Sequence, residues 1–301
     1  MICVYGTVCL DEYVVVPRIP EPGLYVAADS RDFHLGGEAA NTAIALMRLG
    51  VPVTLVGNPV GLDLDGARLQ SLLEQNGLPP AKVDENIATP TCIILVTPDG
   101  ERTMIGSGFT KEAGSKTSLA NLKGCSWFTA EPNFGEVARS AVEQVQATGV
   151  STYLMDFVGE RYDSVVRDCD VLQTSTDVVG RKGDSSINAD WAKNHADEMQ
   201  CSTILTDGVH GVHYCEPGEA PIHYPAYPLP DHFDSTGAGD CFRAGVLYAL
   251  HRGLDLRESI PFGSAAGALA CRSMGATTSA PTEDELHEFM TRNGRDHTAY
   301  A

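Results

Sequence analysis

The chain has 301 residues, 43% hydrophobic and 20% charged, and is long enough to bury a sizeable core as one large or two smaller domains. Its 21 basic and 40 acidic residues give a formal net charge of −19, which argues against general binding to nucleic acid or anionic lipid. Nine cysteines without a Cys-x-x-Cys pair, no signal-peptide pattern and no apolar run of about 18 residues predict a cytoplasmic protein with reduced thiols, no zinc knuckle and no membrane partner.

The first part of the chain alternates short apolar runs with amphipathic segments that end at glycine. These patterns predict buried strands and helices in turn. The predicted strands are 1–6 and 51–57, and the predicted helices are 39–50 and 64–76.

Two further segments predict a small β structure outside the main sheet. Val14–Val16 and Tyr25–Ala28 are β-prone but separated by prolines, a pattern typical of a flap rather than of a central strand. Residues 91–97 and 102–105 predict a hairpin that turns at Asp99-Gly100. We expect this hairpin to pair with the flap, giving a β lid built from about 12–34 and 88–106.

After residue 124 the alternation of strand and helix becomes regular, which predicts βαβ units and a mainly parallel sheet with helices on both faces. Thr282 and Glu285 form a capping-box pattern at the start of the last helix. Strands are predicted near 125–129, 152–157, 170–173, 203–206 and 212–214, and helices near 135–147, 188–199, 240–252, 259–274 and 282–291. The sequence therefore predicts one α/β domain over 1–301 that carries the β lid.

The segment from Asp234 to Phe242 carries the sharpest functional pattern. Gly237, Ala238 and Gly239 form a small-residue turn that leads directly into an apolar helix. Glycines allow a ligand to approach the backbone, and a helix N-terminus offers unpaired N–H groups, so the segment predicts an anion cradle. A carboxylate beside that cradle, Asp240, is the residue type needed to accept a proton from an attacking hydroxyl, or it is simply a favourable first-turn residue.

A second glycine pair, Gly36-Gly37, opens the helix that contains Asn41. An amide one turn into a helix can donate and accept hydrogen bonds, which suits a polyhydroxyl ligand, although a flexible turn with a solvated asparagine gives the same pattern. Asp11 and Glu131 follow predicted strands, where open α/β sheets place ligand contacts, although an ordinary loop acid gives the same pattern for each of them.

Motifs of several other enzyme classes do not occur in the sequence. It contains no GxxxxGK[ST] P-loop, no GxGxxG after the first strand, no GxSxG and no HExxH, which argues against P-loop, dinucleotide-dependent, serine-hydrolase and zincin chemistry. His210 and His213 would point to opposite faces of an extended segment, so we expect surface residues rather than metal ligands there.

Together these segments resemble the ribokinase-like (PfkB) carbohydrate and nucleoside kinases. Residues 36–41 are similar to the first signature of that family, and residues 234–240 are similar to its D-T-x-G-A-G-D signature. Gly61–Gly66 resembles its G-x-D-x-x-G stretch, and Thr206–Gly211 resembles its nucleotide-side loop. The matches follow the order of the family over nearly the whole chain and imply a three-layer α/β/α sandwich with a β lid.

The resemblance implies a role for each site residue, and with them ATP and Mg²⁺ as cofactors and K⁺ as a possible activator. Asp240 would be the catalytic base, and Gly237, Ala238 and Gly239 would form the anion hole. The residues implied for substrate are Asp11, Gly36, Gly37, Asn41 and Glu131; for the nucleotide, Thr206, Gly208, Gly211, Ser264 and Gly275; for Mg²⁺, Asp177; and for a monovalent cation, Asp234 and Thr236.

The chain departs from the family pattern in three places, which involve four residues. The usual N-x-x-E motif is replaced by Thr174 and Asp177, so Mg²⁺ handling is expected to differ. Cys9 stands where ribokinase has an asparagine, which weakens the case for ribose, and Ser264 stands where an asparagine often lines the adenine pocket.

We therefore expect an ATP-dependent kinase that phosphorylates a primary hydroxyl of a sugar or sugar-like molecule. A nucleoside kinase of the adenosine type is the alternative, with Phe33, Met104 and Phe109 of the lid packing on a base or on a second subunit of a homodimer. A catalytically inactive sugar sensor is a further alternative, which the altered N-x-x-E region favours and the intact segment at Asp240 disfavours.

Overall fold

The computed structural model describes residues 1–98, 102–110, 119, 122, 124–229 and 234–294, so the predicted turn at Asp99-Gly100 lies outside the described residues. The strands are β1 Ile2–Gly6, β2 Cys9–Val15, β3 Ser30–Gly36, β4 Val53–Gly57, β5 Val60–Gly61, β6 Val83–Asp84, β7 Thr91–Val96, β8 Arg102–Ser107, β9 Trp127–Ala130, β10 Ser151–Met155, β11 Val171–Ser175, β12 Ser202–Thr206, β13 Val212–Cys215 and β14 Ile222–Tyr224. The α-helices are α1 Glu38–Arg48, α2 Leu64–Gln75, α3 Glu136–Gln146, α4 Asp163–Arg167, α5 Ser185–Met199, α6 Ala238–His251, α7 Leu256–Ala270 and α8 Glu283–Arg292.

An eight-stranded sheet forms the centre of the molecule, in the order β14-β13-β12-β11-β10-β9-β1-β4. The strands from β12 to β4 in this order are parallel, whereas β13 and β14 are antiparallel to their neighbours. Because the parallel strands run in one direction, their carboxyl ends meet at one edge of the sheet.

Alternation along β1 shows how helices cover both faces of this sheet. Ile2 and Val4 pack into a cluster with residues of α1, α6, α7 and α8, whereas Cys3 and Tyr5 pack into a second cluster with residues of α3 and α4. Successive side chains of a strand point to opposite faces, so each face has its own apolar core. The predicted three-layer α/β/α sandwich is confirmed.

A separate four-stranded sheet, in the order β3-β2-β7-β8, is called the small sheet below. Strand β2 pairs in antiparallel fashion with β3 and in parallel with β7, and β7 pairs with β8 as a hairpin. The predicted pairing of the hairpin with the flap is therefore confirmed.

Several local predictions were wrong in detail. Tyr25–Ala28 is not a strand. The second strand of the flap is β3, which begins at Ser30. The helix predicted over 259–274 spans Leu256–Ala270, since Asp255 provides a capping box that starts it earlier. The last helix begins as predicted, with Thr282 and Glu285 in a capping box. Helix α4 was not predicted.

The prediction that His213 lies on the surface was also wrong. This residue is buried, and its ring lies 4.7 Å from the ring of His223 on the neighbouring strand. Among the described residues, no helix is long and apolar enough to cross a membrane.

Candidate active site

The carboxyl ends of the parallel strands and the N-terminus of α6 meet at one edge of the large sheet. Glu131 follows β9, Asp156 follows β10 and Asp207 follows β12, while Gln173 on β11 donates a hydrogen bond from Nε2 to the carbonyl of Gly239 at 3.1 Å. This contact fixes the first turn of α6 against the sheet, so the predicted anion cradle lies at the edge where α/β sheets bind ligands.

Gly237 and the first turn of α6 form the segment that the sequence analysis predicted to be an anion cradle. Gly237 adopts a left-handed conformation with φ 74°, and a Cβ atom there would lie 2.5 Å from the carbonyl oxygen of Ala276, so only glycine fits. Beside Gly239, by contrast, the nearest atom from outside the helix to such a Cβ is Nε2 of Gln173 at 3.9 Å. The first N–H groups of a helix have no acceptor within the helix, and here the N–H of Ala238 donates to the carbonyl of Ser235 at 3.2 Å.

Asp240 lies in this turn and is held by two partners from outside it. Nδ2 of Asn41 donates to its Oδ2 at 2.9 Å, and Nη2 of Arg243 donates to its Oδ1 at 3.3 Å. Burial raises the pKa of Asp240 to about 6, although the charge of Arg243 and the hydrogen bond from Asn41 both lower it. A carboxylate with a pKa near neutrality is ionised at physiological pH and basic enough to accept a proton.

Arg243 is a site residue that the sequence analysis missed. Its side chain is fully buried and donates to Oγ1 of Thr42, at 2.6 Å from Nη2, and to the carbonyl of Glu38 at 2.9 Å. A buried guanidinium needs such acceptors, and its only sequence signal is the i, i+3 spacing from Asp240 on one helix.

Asp11, predicted as a ligand contact after the first strand, lies within strand β2 of the small sheet and not in a loop. It is 4% exposed, and Sγ of Cys9 donates to its Oδ1 at 3.3 Å. The pKa of Asp11 is raised to about 7, mainly by burial and in part by the charges of Asp240 and Asp234. Asp11 and Asp240 therefore belong to one acidic site between the two sheets.

Gly36 must be glycine because Asp11 occupies the space beside it. A Cβ atom at residue 36 would lie 2.0 Å from Cγ of Asp11. Gly37, with φ 95°, packs against the carbonyl oxygen of Thr7, which a Cβ would approach to 2.3 Å. The glycine pair therefore lets α1, with Asn41, approach both Asp11 and the loop after β1.

Glu131 lies in the same region but is fully buried and already bonded. Its Oε1 accepts a short hydrogen bond from the backbone N–H of Thr7, and its Oε2 accepts one from the N–H of Asn133 at 2.9 Å. Burial raises the pKa of Glu131. Its contacts fix the loops after β1 and β9, while Asn41 keeps a buried Oδ1 without a protein partner, and this atom can accept a hydroxyl.

Four of the five residues predicted for the nucleotide fall into two places. Thr206, Gly208 and Gly211 lie at the end of β12, where Asp207 accepts hydrogen bonds from Thr176, Asn188 and the N–H of Gly183 and so fixes the loop. Ser264 lies on α7, and its buried Oγ has no protein partner. An orphaned buried hydroxyl is satisfied when a polar ligand binds, so Ser264 fits a nucleotide.

Gly275, the fifth residue predicted for the nucleotide, lies in the segment after α7. Its N–H donates to Oδ2 of Asp234 at 3.0 Å, and a Cβ there would lie 3.1 Å from Nδ1 of His34 on the small sheet. Its observed contacts connect it to the loop before α6 and to the small sheet.

Two carboxylates at the ends of neighbouring strands fit a magnesium ion. Asp177 is exposed after β11, and Asp156 after β10 adopts a positive φ of 58° and accepts a hydrogen bond from Thr174 at 2.7 Å. Burial raises the pKa of Asp156, and the charge of Asp177 raises it further. Mg²⁺ is usually held by one or two carboxylates together with the phosphates of a substrate, which matches this pair. Asp156 was not predicted from the sequence.

Asp234 and Thr236 do not fit the monovalent cation that the resemblance implied. The guanidinium of Arg102, at the start of β8, lies 2.8 Å from Oγ1 of Thr236 and 3.4 Å from Oδ1 of Asp234. The positive charge beside these residues is therefore a side chain of the chain itself.

Comparison with known proteins identifies the class to which this arrangement belongs. The model of the pfkB family carbohydrate kinases matches residues 1–283. The chain belongs to the pfkB family of carbohydrate kinases. It is a phosphotransferase of that family, as the sequence analysis expected.

Relatives of this pfkB kinase include proteins described as sugar kinases and as nucleoside kinases. An uncharacterized sugar kinase of Dictyostelium discoideum is 28% identical over 97% of this chain and 98% of its own. A nucleoside kinase of Methanothermobacter thermautotrophicus is 26% identical over 95% of this chain and 94% of its own. The structure of Arabidopsis thaliana ribokinase complexed with ribose and ATP superimposes with a TM-score of 0.81 at 22% identity, covering 96% of this chain and 98% of that one, which shows the shared fold.

Proposed function

We propose that this pfkB kinase transfers the γ-phosphoryl group of ATP to a primary hydroxyl of a sugar or sugar-like small molecule. The observation that carries the proposal is the position of Asp240, a buried carboxylate with a pKa of about 6 in the first turn of α6. A base and an anion cradle on the same helix turn are the two protein parts that phosphoryl transfer requires.

In the proposed reaction, Asp240 accepts the proton of the acceptor hydroxyl. The hydroxyl oxygen forms a bond to the γ-phosphorus while the bond from that phosphorus to the leaving oxygen of ADP breaks. Asn41 and Arg243 hold the carboxylate through its two oxygens, so only small motions separate it from the hydroxyl. Asp240 is then protonated and releases its proton to solvent after the product leaves.

The backbone from Gly237 to Gly239 is the proposed anion hole. Negative charge spreads over the oxygens of the transferred group during transfer, and N–H groups at a helix N-terminus stabilise it without reorganisation. Gln173 holds the carbonyl of Gly239 and thereby fixes the direction of this turn.

The acceptor binds, in this proposal, between α1 and the small sheet. Asp11 and Asn41 would accept and donate hydrogen bonds to its hydroxyls, and Gly36 and Gly37 would leave room for it. Glu131 would act indirectly, because its hydrogen bond with the N–H of Thr7 holds the loop after β1. The small sheet supplies Asp11 and would serve as the lid that excludes water, within a single domain over 1–301.

The nucleotide would lie along the ends of β11 and β12, with Thr206, Gly208 and Gly211 on one side and Ser264 on α7 on the other. Asp156 and Asp177 would hold Mg²⁺, which supplies positive charge to the phosphates when bound.

A nucleoside is the second candidate acceptor, because the nucleoside kinase of Methanothermobacter thermautotrophicus matches nearly the whole chain. The two acceptor classes differ in what lies beyond the ribose: a free sugar needs a polar partner there, and a nucleoside needs an apolar surface. Met104 and Ile105 on β8 are exposed apolar side chains. Such side chains would pack either against a base or against a second subunit.

The test is release of ADP from Mg-ATP across matched pairs of sugar and nucleoside, such as ribose with adenosine and with inosine, together with hexoses and sugar acids. Turnover of a free sugar with little turnover of the nucleosides supports the sugar kinase, and the reverse supports the second candidate. Absence of acceptor-dependent ADP release across the panel, from protein whose melting temperature rises with these compounds, would overturn the proposed reaction.

A further inference from the structure

Strand β8 of the small sheet places a positively charged side chain against the loop that precedes the proposed anion cradle. Arg102 begins β8, and Nη1 of its guanidinium donates to Oγ1 of Thr236 at 2.8 Å and to Oδ1 of Asp234 at 3.4 Å. Thr236 is followed directly by Gly237, the N-cap of α6. The charge of Arg102 therefore lies one residue before the turn that would receive the phosphoryl group.

Asp234 uses both carboxylate oxygens within the protein. Besides Arg102, its Oδ1 accepts from the backbone N–H of Thr236 at 2.9 Å and from the hydroxyl of Thr236 at 2.6 Å. Its Oδ2 accepts from the N–H of Gly275 at 3.0 Å. A carboxylate oxygen has two lone pairs, so Oδ1, with three donors, is saturated, whereas Oδ2, with one donor, keeps one lone pair.

The ion pair is shielded from water on the Asp234 side. The Asp234 side chain is 4% exposed and that of Arg102 is 26% exposed. A buried carboxylate without a cation is costly, so this loop needs one positive charge, and Arg102 supplies it.

We propose that Arg102 is a tethered cation that replaces a bound monovalent metal ion, and that this kinase therefore works independently of K⁺. Arg102 is a positioning residue: through Asp234 and Thr236 it holds the loop that presents Gly237 and the first turn of α6. Because the guanidinium belongs to the small sheet, the same contact joins that sheet to the anion cradle. The proposal rests on the proposed function for its effect on rate, but not for its effect on cation binding.

The experiment compares KCl with choline chloride at equal ionic strength. The proteins compared are the wild type, Arg102→Gln and Arg102→Ala, each as the full chain. Two readouts are taken: melting temperature without substrate, and ADP release with the best acceptor. Arg292→Gln is the matched control, since Arg292 is an exposed arginine on α8 paired with Glu288.

We expect the wild type and Arg292→Gln to give the same melting temperature and the same rate in both salts. The Arg102 variants should lose about tenfold to a hundredfold in rate in choline chloride, as when a charge-assisted contact is removed. KCl should restore part of that rate and should raise their melting temperature relative to choline chloride, because the vacated site then accepts the ion. Guanidinium at millimolar concentration should rescue Arg102→Ala more than Arg102→Gln, because only alanine leaves room for it.

A wild type that KCl stabilises and activates would overturn the proposal, as would Arg102 variants that keep the full rate and respond to neither salt. The melting-temperature arm needs no turnover, so it decides the question even if no acceptor is phosphorylated. If neither Arg102 variant folds, the response of the wild type to the two salts still decides it.

Discussion

Asn41 and Asp240, separated by 199 positions in the sequence, meet through a 2.9 Å hydrogen bond from Nδ2 to Oδ2. Each stands in the opening turns of a helix that follows a glycine, α1 after Gly37 and α6 after Gly237. The contact brings the two signature segments of the sequence together, so that a residue suited to bind hydroxyls holds the residue proposed to deprotonate one.

Replacing the proposed base is expected to remove turnover and to leave the binding of the acceptor unchanged. Asp240→Asn keeps the size and the contact with Asn41 but cannot accept the proton, so kcat should fall by about 10³-fold. Isothermal titration with the acceptor should give a Kd close to that of the wild type. Asp190→Asn, at an exposed position on α5, is the control. Near-native kcat for Asp240→Asn would show that another group takes the proton.

The pH dependence of the reaction should report the environment of Asp240. Because the base must be ionised, kcat/KM, which reports groups of the free enzyme, should fall on the acid side with an apparent pKa of about 6. The hydrogen bond from Asn41 lowers the pKa of Asp240 by favouring the charged form, so Asn41→Ala should move the acid limb to higher pH. An acid limb that stays in place in Asn41→Ala would mean that Asp240 does not set it.

Much of this site follows from local sequence, but some of it does not. Gly237 and Asp240 could be predicted because a helix N-terminus is determined by neighbouring residues. Arg243 and Arg102 could not, because their partners lie on distant segments and depend on how the helices and the small sheet pack. Asp156 escaped prediction for a similar reason: its positive φ of 58° is imposed by the surrounding loop rather than by its own type.

The fold shows the same division between local and long-range information. Seven of the eight strands of the large sheet were predicted, all but β14, because apolar periodicity and glycine stops are local signals. The second strand of the flap was placed at Tyr25–Ala28 instead of Ser30–Gly36 because Arg31 and Asp32 make that strand look polar. It is exposed over its first half, and the long-range pairing with β2 determines where it begins.

Asp11 is expected to make the protein less stable as pH rises. Its pKa is about 7 in the folded protein against 3.8 as its ordinary value, so the folded state holds the proton more tightly. The stability from that proton is fully present below pH 4 and is lost as pH rises through about 7. At pH 8, Asp11→Asn should therefore unfold at a higher urea concentration than the wild type. Its free energy of unfolding should be larger by on the order of 2 kcal/mol, and this difference should vanish near pH 4.

The same variant should bind the acceptor more weakly, because an amide donates where the carboxylate accepts. Asp190→Asn should show neither effect. A stability difference between Asp11→Asn and wild type that is equal at both pH values would contradict the burial argument for Asp11.

The contact between Gly36 and Asp11 can be tested by a double-mutant cycle. Gly36→Ala places a Cβ atom 2.0 Å from Cγ of Asp11 and should displace the carboxylate, with a loss of about 1–3 kcal/mol in stability and a higher KM. In Asp11→Ala the obstructing atoms are absent, so adding Gly36→Ala should cost much less. Additive losses in the double variant would show that residue 36 acts through something other than Asp11.

The most direct test of the central claim is the ³¹P NMR spectrum, without proton decoupling, of the product formed from ATP and the best acceptor. Transfer to a primary hydroxyl predicts a phosphomonoester signal split into a triplet by the two protons of the adjacent CH₂ group, formed by the wild type and not by Asp240→Asn. A doublet would place the phosphoryl group on a secondary hydroxyl, and inorganic phosphate alone would mean hydrolysis of ATP without transfer; either result would contradict the account.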